Sequence, residues 1–123
     1  MIVGHVYVVH TTLARPPKDK ITICICAGEN LFFWINTKPQ RHGLGQLPLT
    51  AVEHAALSHD CFLDCSRATT FSPYELNTSQ HRGTISAALA LRIVESLRND
   101  PPKTLPRRFV QLAINNLSAM FDA

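Results

Sequence analysis

A chain of 123 residues, 46 % hydrophobic and 17 % charged, has the size and composition of one globular domain, which excludes a disordered or low-complexity protein. Twelve Lys and Arg against nine Asp and Glu leave a formal charge of +3, too mild for a polybasic tail and compatible with a polyanionic ligand. No apolar run reaches the roughly 20 residues needed to span a bilayer.

The opening "MIVGHVYVVHTTLARPPK" has no basic start, and histidine and threonine break its apolar positions. It is expected to be a first strand, His5 to Thr11, rather than a secretory signal. Four cysteines with no export signal are expected to stay reduced in a cytosol. After a proline-containing basic loop, "ITICICA" alternates Ile21, Ile23 and Ile25 with Thr22, Cys24 and Cys26. Period two predicts a strand with the isoleucines on one face and the two cysteines together on the other. "LFFWINT", Leu31 to Thr37, is apolar at consecutive positions, the pattern of a strand covered on both faces. "KPQRHGLGQ" reads as a loop.

At "LTAVEHAALSHD" the period changes. Thr50 with Glu53 three residues on is a capping-box signature, and a short helix is expected over 51–58 with Val52, Ala55 and Ala56 on one side. "CFLDCSR" resumes as strand, and Pro73 is expected to end the strand region. Ser86 is placed to cap a helix "AALALRIVESLR", in which Ile85, Leu89, Ile93 and Leu97 recur at helical spacing. "NDPPK" stops it. "PRRFVQLAINNLSAMF" predicts a last helix with Val110, Ile114, Leu117 and Phe121 on one side. Strands first and helices later give an α+β class, a small curled sheet with helices packed on it.

The densest chemistry lies in "SHDCFLDCSR", Ser58 to Arg67. Cys61 and Cys65 share one face of such a strand, and Asp60 and Asp64 share the other with Phe62 and Ser66. Four thiolates from two neighbouring strands are the donor set of a zinc site, but zinc is normally held by C-x₂-C turns, which are missing here. Reduced cysteine also packs as a small hydrophobe, so the cysteines are expected to be structural. A carboxylate in an apolar strand needs a partner; that partner is a structural cation or a ligand in a cleft. No G-x-S-x-G, P-loop, H-E-x-x-H or G-x-G-x-x-G occurs.

The succession "GHVYVV", basic loop, "ITICIC", "FFWINT", "FLDCSRATTF" and "RGTISAALALRIVESL" resembles the PemK/MazF family of bacterial toxins from type II toxin–antitoxin modules. The resemblance runs from Gly4 to Leu97. It implies one domain over 1–123: an SH3-like β-barrel of about five to six strands within 1–76, a short inserted helix, and two C-terminal helices within 84–121. It also implies a cytoplasmic homodimer, neutralised by a cognate antitoxin protein and having no membrane association. Active members cleave RNA with no metal or cofactor. A base activates the ribose 2′-hydroxyl and an acid assists the leaving oxygen, beside a cation that steadies the phosphate.

Position by position, the resemblance makes Lys18, Lys20, Asn36 and Thr37 the substrate-binding residues. His10, Asp64, Ser66 and Arg67 become the catalytic ones. Where catalytic members carry an Arg-x-Asp pair, this chain has "DCS". Arg67 is expected on the opposite face of a regular strand. The rival reading is a non-catalytic SH3-like module that recognises a protein or nucleic-acid partner, since fold alone does not fix function.

Overall fold

The computed structural model describes residues 1–122 and is an α+β fold. Strands β1 (His5–Thr11), β2 (Lys18–Cys26) and β3 (Leu31–Asn36) are successive antiparallel neighbours. The short strand β4 (Gln46–Leu49) pairs with β5 (Cys61–Thr69), which pairs with β3. β6 (Gln80–Thr84) returns to pair with β1. The order β4-β5-β3-β2-β1-β6 leaves β4 and β6 as edges, so the hydrogen-bonded sheet is open. Helix α1 (Pro73–Asn77) precedes β6, and α2 (Ala87–Asn99) and α3 (Arg107–Ser118) follow it.

Alternation along the strands creates two unequal interiors. Ile23, Ile25, Phe33 and Leu63 point to the face covered by α2 and α3, meeting Leu89, Ile93, Leu97, Ala113 and Leu117 in the main core. Phe32 points the other way, into a smaller cluster with Tyr7, Val9, Cys24 and Phe71. This is why "LFFW" is apolar at consecutive positions. Ser86 caps α2 as expected, its hydroxyl accepting from Leu89 N–H at 3.0 Å. Val110, Ile114 and Leu117 form the buried stripe of α3. No helix among the described residues is long and apolar enough to cross a membrane.

Several local expectations are corrected. The helix over 51–58 shrinks to a 3₁₀ turn, Ala51–Glu53. Glu53 does accept from Thr50 N–H at 2.8 Å, but His54 is extended and Val52 is 92 % exposed, so no apolar face rewards further helix. Pro73 starts α1 instead of merely ending a strand, with Ser72 accepting from Glu75 N–H at 3.2 Å; proline fits the first helical position, where its missing N–H is no loss. Cys24 and Cys26 do not share a face. The β2–β3 register shifts between them, placing Cys24 in the smaller cluster and Cys26 in the main core. Asp60 precedes β5 and is exposed, so it does not form a strand pair with Asp64. Lys18 and Lys20 stand in β2, not in the loop before it. The sheet also takes in Gln80–Thr84, beyond the 1–76 expected for it.

Gly43 and Gly45 flank the entry to β4 with φ of +70° and +65°. A Cβ on Gly43 would meet open space, whereas one on Gly45 would stand 2.6 Å from Pro102 Cγ and 2.9 Å from Ser66 N. Both alanine variants carry the left-handed backbone cost of about 1–2 kcal/mol. Urea denaturation is expected to show Gly45→Ala destabilised further than Gly43→Ala, by at least about 1 kcal/mol, because the clash involves backbone.

Candidate functional site

One cross-strand rank crosses the face opposite α2 and α3. His81 stands opposite Tyr7, Tyr7 opposite Thr22, Thr22 opposite Trp34, Trp34 opposite Asp64, and Asp64 opposite Gln46. Directly opposed residues in a sheet share a face. On one side of this rank lies the apolar cluster of Phe32 and Phe71. On the other lie Lys20 and Asn36, joined by a 2.6 Å bond from Lys20 Nζ to Asn36 Oδ1.

Asp64 is only 4 % exposed. Its carboxylate accepts from the Ser66 N–H at 2.9 Å and from the Ser66 hydroxyl, and from the side-chain amides of Gln46 at 2.8 Å and Gln40 at 3.3 Å. Burial pushes the carboxyl up, but these donors outweigh it and hold Asp64 below the ordinary carboxylate range. It is a permanently ionised anchor at neutral pH. Ser66, 3 % exposed, turns its hydroxyl to Asp64 and accepts at its carbonyl from Thr104 Oγ1 at 2.6 Å.

Trp34 stands at the centre. Lys20 Nζ lies 5.3 Å and the Arg67 guanidinium carbon 5.8 Å from its ring centroid, both within cation–π reach. Phe71 lies parallel to it at 6.2 Å. Arg67 was expected on the opposite face. It reaches the Trp34 side because the β3–β5 register jumps from Trp34–Asp64 to Phe32–Thr69, so β5 is not regular there. Lys20 is 8 % exposed. Burial first, then the charge of Lys18, hold its ammonium below the usual lysine range, with Asp64 pulling the other way.

Lys18, Lys20, Asn36 and Thr37, together with Lys38 and Gln40, line a cleft of about 520 Å³ at the end of β2 and β3. Gln40 also lines a hollow of about 350 Å³ with His42, Ser66, Arg67 and Thr104. Of the eight sequence-derived residues, Lys18, Lys20, Asn36 and Thr37 share the cleft, Ser66 and Arg67 share the hollow, and Asp64 is bonded to Gln40, which lines both. His10 meets the cleft only through Asp19, one of its lining residues. It neighbours Val9, which opposes Lys20, so its side chain alternates to the other face, where His10 Nδ1 lies 2.7 Å from Asp19 Oδ1. Trp34, Lys38, Gln40 and Gln46 were not anticipated. Trp34 lies two positions before Asn36 and so on its face, a signal the sequence held; Gln46 offered none.

The four thiols are free and buried. Burial pushes Cys24 up to about 11 and Cys65 higher still, so both are protonated at neutral pH. Among the described residues no three His, Cys, Asp or Glu side chains converge in a metal-holding group. Comparison with protein-family models, curated proteins and solved structures gives no match to this chain.

Asp64 ties acid stability to the site. Its folded-state pKa is lowered, so its contribution is present above the unfolded value of about 3.9 and is lost as pH falls through the folded value. Asp64→Asn is expected to cost about 2 kcal/mol at pH 7. Chemical denaturation as a function of pH is expected to show the wild-type margin over this variant shrinking below about pH 4.

Proposed function

We propose that this chain acts on RNA, as a toxin of the PemK/MazF type partnered by an antitoxin. A single strand lies across the polar half of the sheet face, with Lys18, Lys38 and Arg67 meeting phosphates and Asn36 and Thr37 orienting the backbone. The observation that carries the reading is Trp34 with the Lys20 ammonium 5.3 Å and the Arg67 guanidinium 5.8 Å from its ring, these two cations each lining a hollow that Gln40 also lines. An aromatic platform flanked by positive charge is how proteins grip single-stranded nucleic acid, because every base offers a π-face and every link a phosphate. Duplex RNA keeps its bases stacked and suits this platform poorly.

An SH3-like arrangement is part of the same proposal. The antiparallel succession β1, β2, β3, β5 supports it, as does the way the chain after β4 curls back toward β6. The His54 ring stands 3.7 Å from where a Gly83 Cβ would be, and Arg92 on α2 bonds both Glu53 and the Pro48 carbonyl. The homodimer and the cytoplasmic setting rest on the resemblance.

For metal-independent cleavage, Lys20 is the strongest proton carrier on this face. It is a buried lysine lining the cleft, its ammonium held below the usual lysine range by burial first, the direction in which a lysine gains basic character. Asp64 acts as a positioning residue. A specific observation also favours the second reading, a non-catalytic RNA-binding module: Asp64 and Ser66 already satisfy one another, and His10 stands on the other face.

The one tryptophan of the chain reports the test directly. Titration with an eight-nucleotide single-stranded RNA is expected to quench Trp34 fluorescence. Arg67→Ala and Lys38→Ala are expected to weaken binding about tenfold each at low salt and to flatten its salt dependence. Incubation with longer RNA in EDTA is expected to give cleavage that Lys20→Met abolishes while binding persists. Binding with no cleavage selects the module reading, and neither quenching nor cleavage overturns the RNA assignment.

A further inference from the structure

We propose that His5 and His81 form a two-imidazole binding site for a tetragonal transition-metal cation, Cu(II) foremost, at the β1–β6 edge of the sheet. His5 Nδ1 and His81 Nε2 lie 2.8 Å apart, with the rings inclined by 23°. Two nitrogens bound about 2.0 Å from a metal are about 2.8 Å apart at a right angle and about 3.3 Å apart at a tetrahedral angle. The observed 2.8 Å is the length of the hydrogen bond that joins the rings, and it already brings two imidazole nitrogens within the span of one cation's cis positions. Copper also stands highest among the divalent first-row ions for nitrogen donors.

The backbone holds the pair in place. His5 stands opposite Thr84 and Tyr7 opposite His81, with a register irregularity between them. The Tyr7 ring lies 5.4 Å from the His81 ring and 6.4 Å from the His5 ring, steadying both. The pair faces solvent. No third His, Cys, Asp or Glu joins it among the described residues, so water completes the shell. In the neutral pair one ring proton sits between the two facing nitrogens. Metal entry moves that proton to the far nitrogen of the same ring, so both imidazoles stay neutral and no net proton is released. His81 and Tyr7 belong to the same cross-strand rank as Trp34, but the site uses none of the residues assigned to RNA and does not depend on that reading.

Copper(II) chloride is titrated into the whole chain at pH 7.4 by calorimetry and electron paramagnetic resonance, with nickel and zinc in parallel and His5→Gln and His81→Gln as variants. The wild type is expected to bind one copper at micromolar affinity with nitrogen hyperfine coupling from two imidazoles. Either variant weakens it at least tenfold, and the order is copper, nickel, zinc. Unchanged affinity in both variants overturns the site, and zinc held as tightly as copper overturns the geometry. Should a variant lose its fold by circular dichroism, imidazole resonances of the wild type decide. Copper broadening His5 and His81 first supports the pair, and broadening of His10, His42, His54 or His59 first overturns it.

Discussion

An ionised carboxylate shut away from water costs several kcal/mol when left alone, and Asp64 is ionised and buried in the middle of the sheet. The donors that meet it come from well-separated stretches of the chain: Gln40 from the loop before β4, Gln46 from β4 itself, and Ser66 two residues along β5. Each donor fixes a piece of the surrounding surface. Gln40 forms part of both hollows, and Ser66 lies where β5 departs from regular pairing. The polar surface is thus organised around a buried charge.

Positive charge is arranged against that buried anion with a division of labour. Lys20, fixed to Asn36 and desolvated, is chemically distinct from the exposed Lys18 and Lys38 that share its cleft. Arg67 approaches the same indole from β5. Trp34 is therefore bounded by cations on one side of the rank and by the Phe32–Phe71 cluster on the other. That junction of apolar and basic surface is the feature on which the proposed RNA binding rests.

The sequence made the regular elements legible because their periods are clean. β-branched and aromatic composition disclosed β1, alternation β2 and a consecutive apolar run β3, and four-residue spacing disclosed α2 and α3. Ser86 marked the start of α2 by its capping chemistry. The failures fall where a local rule met a register change or a competing contact. Cys24 and Cys26 parted at an irregularity that alternation cannot foresee, and Arg67 crossed to the Trp34 side for the same reason. β4 and β6 are short edge strands formed by pairing with distant partners, β4 interrupted by Pro48 and β6 polar throughout, so little in "GQLPL" or "QHRGT" distinguishes them from loops. Of the candidate site, Lys18, Lys20, Asn36 and Thr37 were named through the family resemblance, and they line one cleft. The glutamines holding Asp64 were not named, because their role exists only once β4 lies beside β5.

The bond from Thr104 to the Ser66 carbonyl and the packing of Pro102 against Gly45 have a further consequence. The segment joining α2 to α3 acts as a buttress behind the bend in β5, so the two helices do more than roof the hydrophobic interior. Shortening or re-routing that connector would let the bend relax and carry the arginine away from the indole. Insertions there are thus poorly tolerated, even though the segment lies between helices and touches neither cation.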